Sequence, residues 1–270
     1  NSHTFEPAPA DAILLAQADL IIMNGLGLET QIFKLAQRVK KSSTPLLLLA
    51  ERTLSKNQWI FDARFPKENR QPNPHLWLNI GYAMHYAELT RDALIALDPV
   101  NRLMYTDNTK NYLAKLRNLD AAIHTCIDGI PTDKRKLLTY HDSFAYFAPR
   151  YGMQVIGAVQ PADFAQPSPK EVMQIIKQVR TAKLPAIFGS EVFPSAVLEQ
   201  IARESGAVFI DALADDALPG AVDSPRHSFI GMMLNNVKII TRALGGAKQC
   251  LSGFDSEIGP GYHHASARNR

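Results

Sequence analysis

A chain of 270 residues, 46% hydrophobic and 20% charged, has enough apolar material to bury a full core, which excludes a disordered protein. No apolar run approaches the ~20 residues that a membrane-spanning helix needs, the best candidates being residues 20–23 and 46–50. With 29 Lys and Arg against 26 Asp and Glu the charges are mixed, and the one basic cluster, Lys134-Arg135-Lys136, is too small for a nucleic-acid stripe.

The predicted elements alternate along the chain. A helical pattern over residues 11–18 precedes an apolar run at 20–23, and a second pair follows at 29–40 and 46–49. A helix over 82–97 leads to a longer one over 107–127, which Gly129-Ile130-Pro131 stops. Beyond it, apolar runs at 136–140, 154–159, 186–189 and 207–211 alternate with helical patterns at 170–182 and 194–205. Asp142 is placed to cap a further helix starting at Ser143. Runs of four to seven residues, apolar on both parities, read as strands buried on both faces. The fold class is therefore α/β, and the expected architecture is two lobes, each a parallel-type sheet wrapped by helices, joined by one long rigid helix; the pattern alone leaves open that this helix packs along a single sheet. The expected division is an N-terminal lobe over residues 1–105, a linking helix over 106–128, a C-terminal lobe over 129–245, and a glycine-punctuated, poorly ordered tail over 246–270.

Cys126 and Cys250 stand far apart with no C-x-x-C word, which excludes a disulfide scaffold, a zinc ribbon or an iron–sulfur cluster. Gly25-Leu26-Gly27 lacks the third glycine of a dinucleotide fingerprint and reads as a turn. Gly189-Ser190-Glu191 lacks the second glycine of a nucleophile elbow. His85 and His124 fall within helices, His227 begins the last helix, and His263 and His264 lie in the tail; Trp59 and Trp77 read as core or lobe-surface aromatics.

Among the histidines, His3 precedes the first helix, His75 sits between a proline-rich loop and the next helix, and His141 follows a strand. Asp211 closes another strand, and open α/β sheets bind ligands at the carboxyl ends of their strands. Three neutral imidazoles and one carboxylate make a four-ligand set suited to Zn²⁺ and, less comfortably, to Mn²⁺. Spacing alone leaves open that each is an ordinary hydrogen-bonded loop residue, and that Asp215 or Asp216 takes the place of Asp211.

Four local words narrow the reading. They are His3-Thr4-Phe5-Glu6-Pro7 with the following Asn24-Gly25-Leu26-Gly27-Leu28-Glu29, then Pro74-His75-Leu76-Trp77-Leu78, then Tyr140-His141-Asp142-Ser143-Phe144, and Ile210-Asp211-Ala212-Leu213. In this order, from residue 1 to about Leu244, they resemble the ZnuA/TroA-like zinc and manganese receptors of ABC importers. The resemblance implies a two-lobed receptor with the ion in its cleft, held by His3 and His75 from one lobe and His141 and Asp211 from the other. Histidine at the third position leans toward zinc. It further implies an extracytoplasmic or periplasmic monomer, with lipid anchoring left open, that delivers Zn²⁺ (Mn²⁺ as the alternative) to a permease subunit and makes or breaks no bond.

Three features depart from the family. About forty residues that normally precede the first word, a signal segment aside, are absent, and a truncated record is expected. Residues 64–73 carry no histidine-rich metal-scavenging loop. The acidic run Asp211, Asp215, Asp216 leaves the fourth ligand ambiguous, with Asp211 preferred. The alternative from another class is a zinc-dependent hydrolase with an open three-His site, which needs one position left for water.

Overall fold

The computed structural model describes residues 3, 5–61, 72–159, 167–190, 196–224, 226–251 and 254. Most of residues 64–73, the loop expected to lack histidine, and nearly all of the tail with His263 and His264 lie outside the described residues.

Helix α1 (Pro9–Gln17) leads into β1 (Ile21–Met23), α2 (Thr30–Val39), β2 (Leu46–Leu48) and the short α3 (Leu49–Thr53). Among the described residues β1 and β2 form one parallel pair, Ile22 opposite Leu47. Two long helices follow, α4 (Ile80–Leu97) and α5 (Arg102–Asp128). Asn79 caps α4 by accepting a hydrogen bond from the Gly81 amide at 2.9 Å. Helix α5 starts at Arg102, earlier than its apolar period suggests, because its first turns are exposed and carry no core residue.

The remaining strands are β3 (Lys136–Thr139), β4 (Gln154–Ala158), β5 (Ala186–Ser190) and β6 (Val208–Leu213), parallel and ordered β4-β3-β5-β6. Between and after them lie α6 (Phe147–Arg150), α7 (Pro169–Ala182), α8 (Ala196–Ser205) and α9 (Phe229–Ala243). Strand parity sorts the core into two layers. Leu137 and Phe188 face α5 and α9, meeting Leu116, Ile123, Met233 and Val237. Leu138 and Ile187 face α7 and α8, meeting Ile175, Val179, Leu198 and Ile201. Both faces are covered, which is why these strands read as continuous apolar runs. Helix α7 opens on a reciprocal capping box between Ser168 and Glu171 with Pro169 in its first turn, and Ser228 caps α9.

Two expectations need correction. The helix expected to start at Ser143 begins at Phe147, and Asp142 does not cap it; residues 143–146 form turns instead, and the His141 carbonyl accepts from the Ser143 amide at 2.9 Å. Cys126 and Cys250 form a disulfide with a Cα separation of 5.6 Å, which falls within the usual range. It pins the segment after α9 to the end of α5. Among the described residues no helix is long and apolar enough to cross a membrane.

Candidate metal centre

The three expected histidines converge. His75 Nε2 lies 3.1 Å from His3 Nε2 and 3.2 Å from His141 Nε2. Asp216 completes the group: one carboxylate oxygen is 3.4 Å from His3 Nε2 and 3.5 Å from His141 Nε2, and the other is 3.4 Å from His75 Nε2.

Each side chain arrives by a different route. His3 precedes α1. His75 ends a loop whose Pro74 carbonyl accepts from Asn24 Nδ2 at 3.0 Å, so the turn after β1 holds it from behind. Gly25 in that turn has φ +90° and sits so close to Glu51 that no side chain fits there. His141 follows β3, its carbonyl held by the Thr139 hydroxyl at 2.7 Å. Asp215 Oδ2 lies 3.6 Å from His141 Nδ1 and accepts from Ser143 Oγ, while its other oxygen accepts from Ser190 Oγ. A carboxylate behind a histidine of this kind orients the ring and favours a lone pair on Nε2.

Asp211, the carboxylate preferred from sequence, is not part of the cluster. Strand β6 continues to Leu213, so Asp211 is internal to it and opposite Gly189. It shares the parity of Phe209, which packs on the α7–α8 layer, and partial desolvation together with Glu199 of α8 raises its carboxyl. Asp215 and Asp216 are the first carboxylates beyond the strand's true end. That Leu213 and Ala214 are apolar was the available signal.

The electrostatics suit a cation. Burial would raise the Asp216 carboxyl, but the imidazoles of His3, His75 and His141 beside it outweigh this and hold it below the usual carboxylate range. Its side chain is fully buried, and among the described residues its oxygens meet the three imidazole nitrogens at 3.4–3.5 Å and no well-formed hydrogen bond. A buried carboxylate in that condition is costly unless a positive charge compensates it. Burial lowers the His141 imidazole and outweighs Asp215, so the ring is neutral and able to donate its lone pair near pH 7. The other histidines of the described residues lie elsewhere: His85 pairs with Glu88, His124 packs on Tyr151, and His227 bonds the Gly220 carbonyl.

The profile of a family described as zinc-uptake complex component A, periplasmic, matches residues 1–243. The chain belongs to this family. Its relatives include the manganese-binding lipoprotein MntA of Halalkalibacterium halodurans, 27% identical over 90% of this chain and 77% of that protein. The iron-binding protein YfeA of Yersinia pestis is also 27% identical, over 90% of this chain and 76% of its own. Among solved structures, a Mn-bound point mutant of a periplasmic metal binding protein from Candidatus Liberibacter asiaticus superposes with TM-score 0.80 at 28% identity, covering 90% and 87% of the two chains. The periplasmic zinc binding protein TroA of Treponema pallidum gives 0.79 at 26% identity with the same coverage. The family consists of substrate-binding components rather than enzymes.

Proposed function

We propose that this protein is an extracytoplasmic, monomeric receptor that captures one divalent cation through His3, His75, His141 and Asp216 and passes it to the permease of an ABC importer. The observation that carries the reading is the convergence of these four donors on one point. Zinc is the favoured ion. A tetrahedron of bonds of about 2.0–2.1 Å has edges of about 3.3–3.4 Å; His75 Nε2 stands 3.1 and 3.2 Å from the other two Nε2 atoms, and one Asp216 oxygen stands 3.4 and 3.5 Å from His3 and His141, which supports four donors around a small ion. Three imidazoles and one carboxylate also favour zinc over manganese, which prefers more oxygen ligands. If the chain divides into lobes at residues 1–105 and 129–245, two donors come from each side of α5, and release to a permease follows when the lobes part. A hydrolase would need an open coordination position and a general base, and Asp216 fills the fourth position.

Calorimetric titration with Zn²⁺ and Mn²⁺ tests the proposal. One tight zinc per chain is expected, bound more than about 100-fold more weakly by His141→Ala and by Asp216→Asn. Asp211→Asn should bind as the parent does. Unchanged affinity in His141→Ala would sink the assignment, and a loss in Asp211→Asn but not Asp216→Asn would return the fourth position to Asp211.

A further inference from the structure

Asn73 lies two residues before His75 and is buried. Its side-chain carbonyl oxygen accepts from the backbone amide of His75 at 3.0 Å and stands 3.0 Å from His75 Nδ1. Its side-chain nitrogen donates to the backbone carbonyl of Asp142, the neighbour of His141. A backbone N–H can only donate and a backbone carbonyl can only accept, so these two contacts fix which end of the amide is oxygen. It follows that His75 Nδ1 carries the proton and His75 Nε2 keeps its lone pair. Nε2 is the atom that faces the other donors. A second tie runs in parallel: the Asn73 backbone amide donates to the Ile60 carbonyl at 2.8 Å, and the Ile60 amide donates to the Tyr146 hydroxyl at 3.0 Å.

We propose that Asn73 is a positioning residue for the captured cation, selecting the tautomer of His75 and, through Asp142, bridging the His75 loop to the segment that carries His141. The proposal rests on the receptor reading above. One amide thereby sets two imidazoles, contributed from either side of α5, against each other before an ion arrives. Affinity is gained because less ordering is left for the ion to impose. Asn73→Ala removes both contacts. Asn73→Asp keeps an acceptor for His75 and removes the donor to Asp142, replacing it with an oxygen that repels the carbonyl.

The test uses the whole chain with zinc alone for affinity and release rate, and cobalt(II) alone for its ligand-field spectrum. Asn73→Ala should bind one zinc about 10–100-fold more weakly and shift the cobalt bands. Asn73→Asp should keep the parent's cobalt bands and release zinc faster. A merely structural role would lower the melting temperature without moving the cobalt bands. Asn73→Ala affinity within twofold of the parent overturns the proposal, as does a loss with unchanged cobalt bands. Should Asn73→Ala fail to fold, Asn73→Asp decides, and a parental release rate then counts against the bridge. His75→Ala separates the two readings: unchanged zinc affinity there removes the receptor reading itself, whereas abolished binding beside parental Asn73 variants removes only the role of Asn73.

Discussion

The two halves of the donor set are held by different physics. His141 and Asp216 leave the ends of a four-stranded sheet enclosed on both faces, where Phe188, Ile187, Leu137 and Leu138 are fully buried between helix layers. His3 and His75 come from a region with little such packing. Its two described strands have three residues each, α1 buries none of its side chains, and Ile13 and Leu14 are exposed. Polar clamps substitute there. Glu29 accepts from the amides of Asn24 and Gly25, Glu51 accepts from the Leu26 amide, and Tyr86 donates to Asn24. Apolar burial tolerates imprecise geometry, whereas a hydrogen-bonded clamp depends on each bond being made. Single substitutions should therefore damage the two regions in different ways.

The largest expected effect lies in the enclosed sheet. Phe188→Ala should cost about 3–5 kcal/mol in denaturant unfolding, through lost transfer energy and a residual cavity. Ile22→Ala in β1, whose side chain is partly exposed, should cost about 1 kcal/mol or less. Equal losses would erase the contrast. Next comes the disulfide, which closes a 124-residue separation on the same side of the molecule. Replacing Cys126 and Cys250 together by Ser should cost about 2–4 kcal/mol, read from the shift in urea midpoint with zinc-free protein.

The same difference explains how legible each region was. The strand–helix alternation was readable because the strands are apolar at nearly every position, and the three histidines that converge stood out by their local words. The carboxylate beside them is Asp216 rather than the preferred Asp211. Where a strand stops was inferred from its first charged residue, yet Asp211 belongs to β6, lying on its α8 side with the chain still paired to Leu213. Nothing local could reveal the disulfide, since it depends on α9 returning the chain to the end of α5. The polar clamps were equally hidden: Asn73 and Glu51 are unremarkable in sequence and acquire roles only from groups brought near them by the fold.

A clamp can be broken by one methyl group. At Gly25 an added Cβ would lie 1.9 Å from Glu51 Oε2, on a backbone whose φ is +90°. Gly25→Ala should therefore destabilise the protein by about 1–3 kcal/mol, by strain and by displacing Glu51 from the Leu26 amide. Because Asn24 of the same turn holds the Pro74 carbonyl, zinc affinity should fall along with stability. A stability loss with parental affinity would show that the turn is not coupled to His75.

The smallest effect is a pH dependence in the well-packed region. Asp120 of α5 accepts from Arg150 and from the Tyr151 hydroxyl at 2.7 Å. Burial would raise its carboxyl, but the bonds from Arg150 and Tyr151 outweigh burial and leave it below its ordinary value. A depressed carboxyl binds its proton less readily in the folded chain than in the unfolded one. Its contribution is therefore complete above the unfolded value of about 3.9 and is lost as pH falls through the folded value. Asp120→Asn should cost about 1–2 kcal/mol at neutral pH and less in acid, so that the two unfolding curves converge below about pH 4. This side chain is half-shielded within an apolar frame, and its loss should leave zinc affinity at pH 7 unchanged. If affinity fell as well, α5 would be transmitting strain to the donors and the two regions would not be mechanically separate.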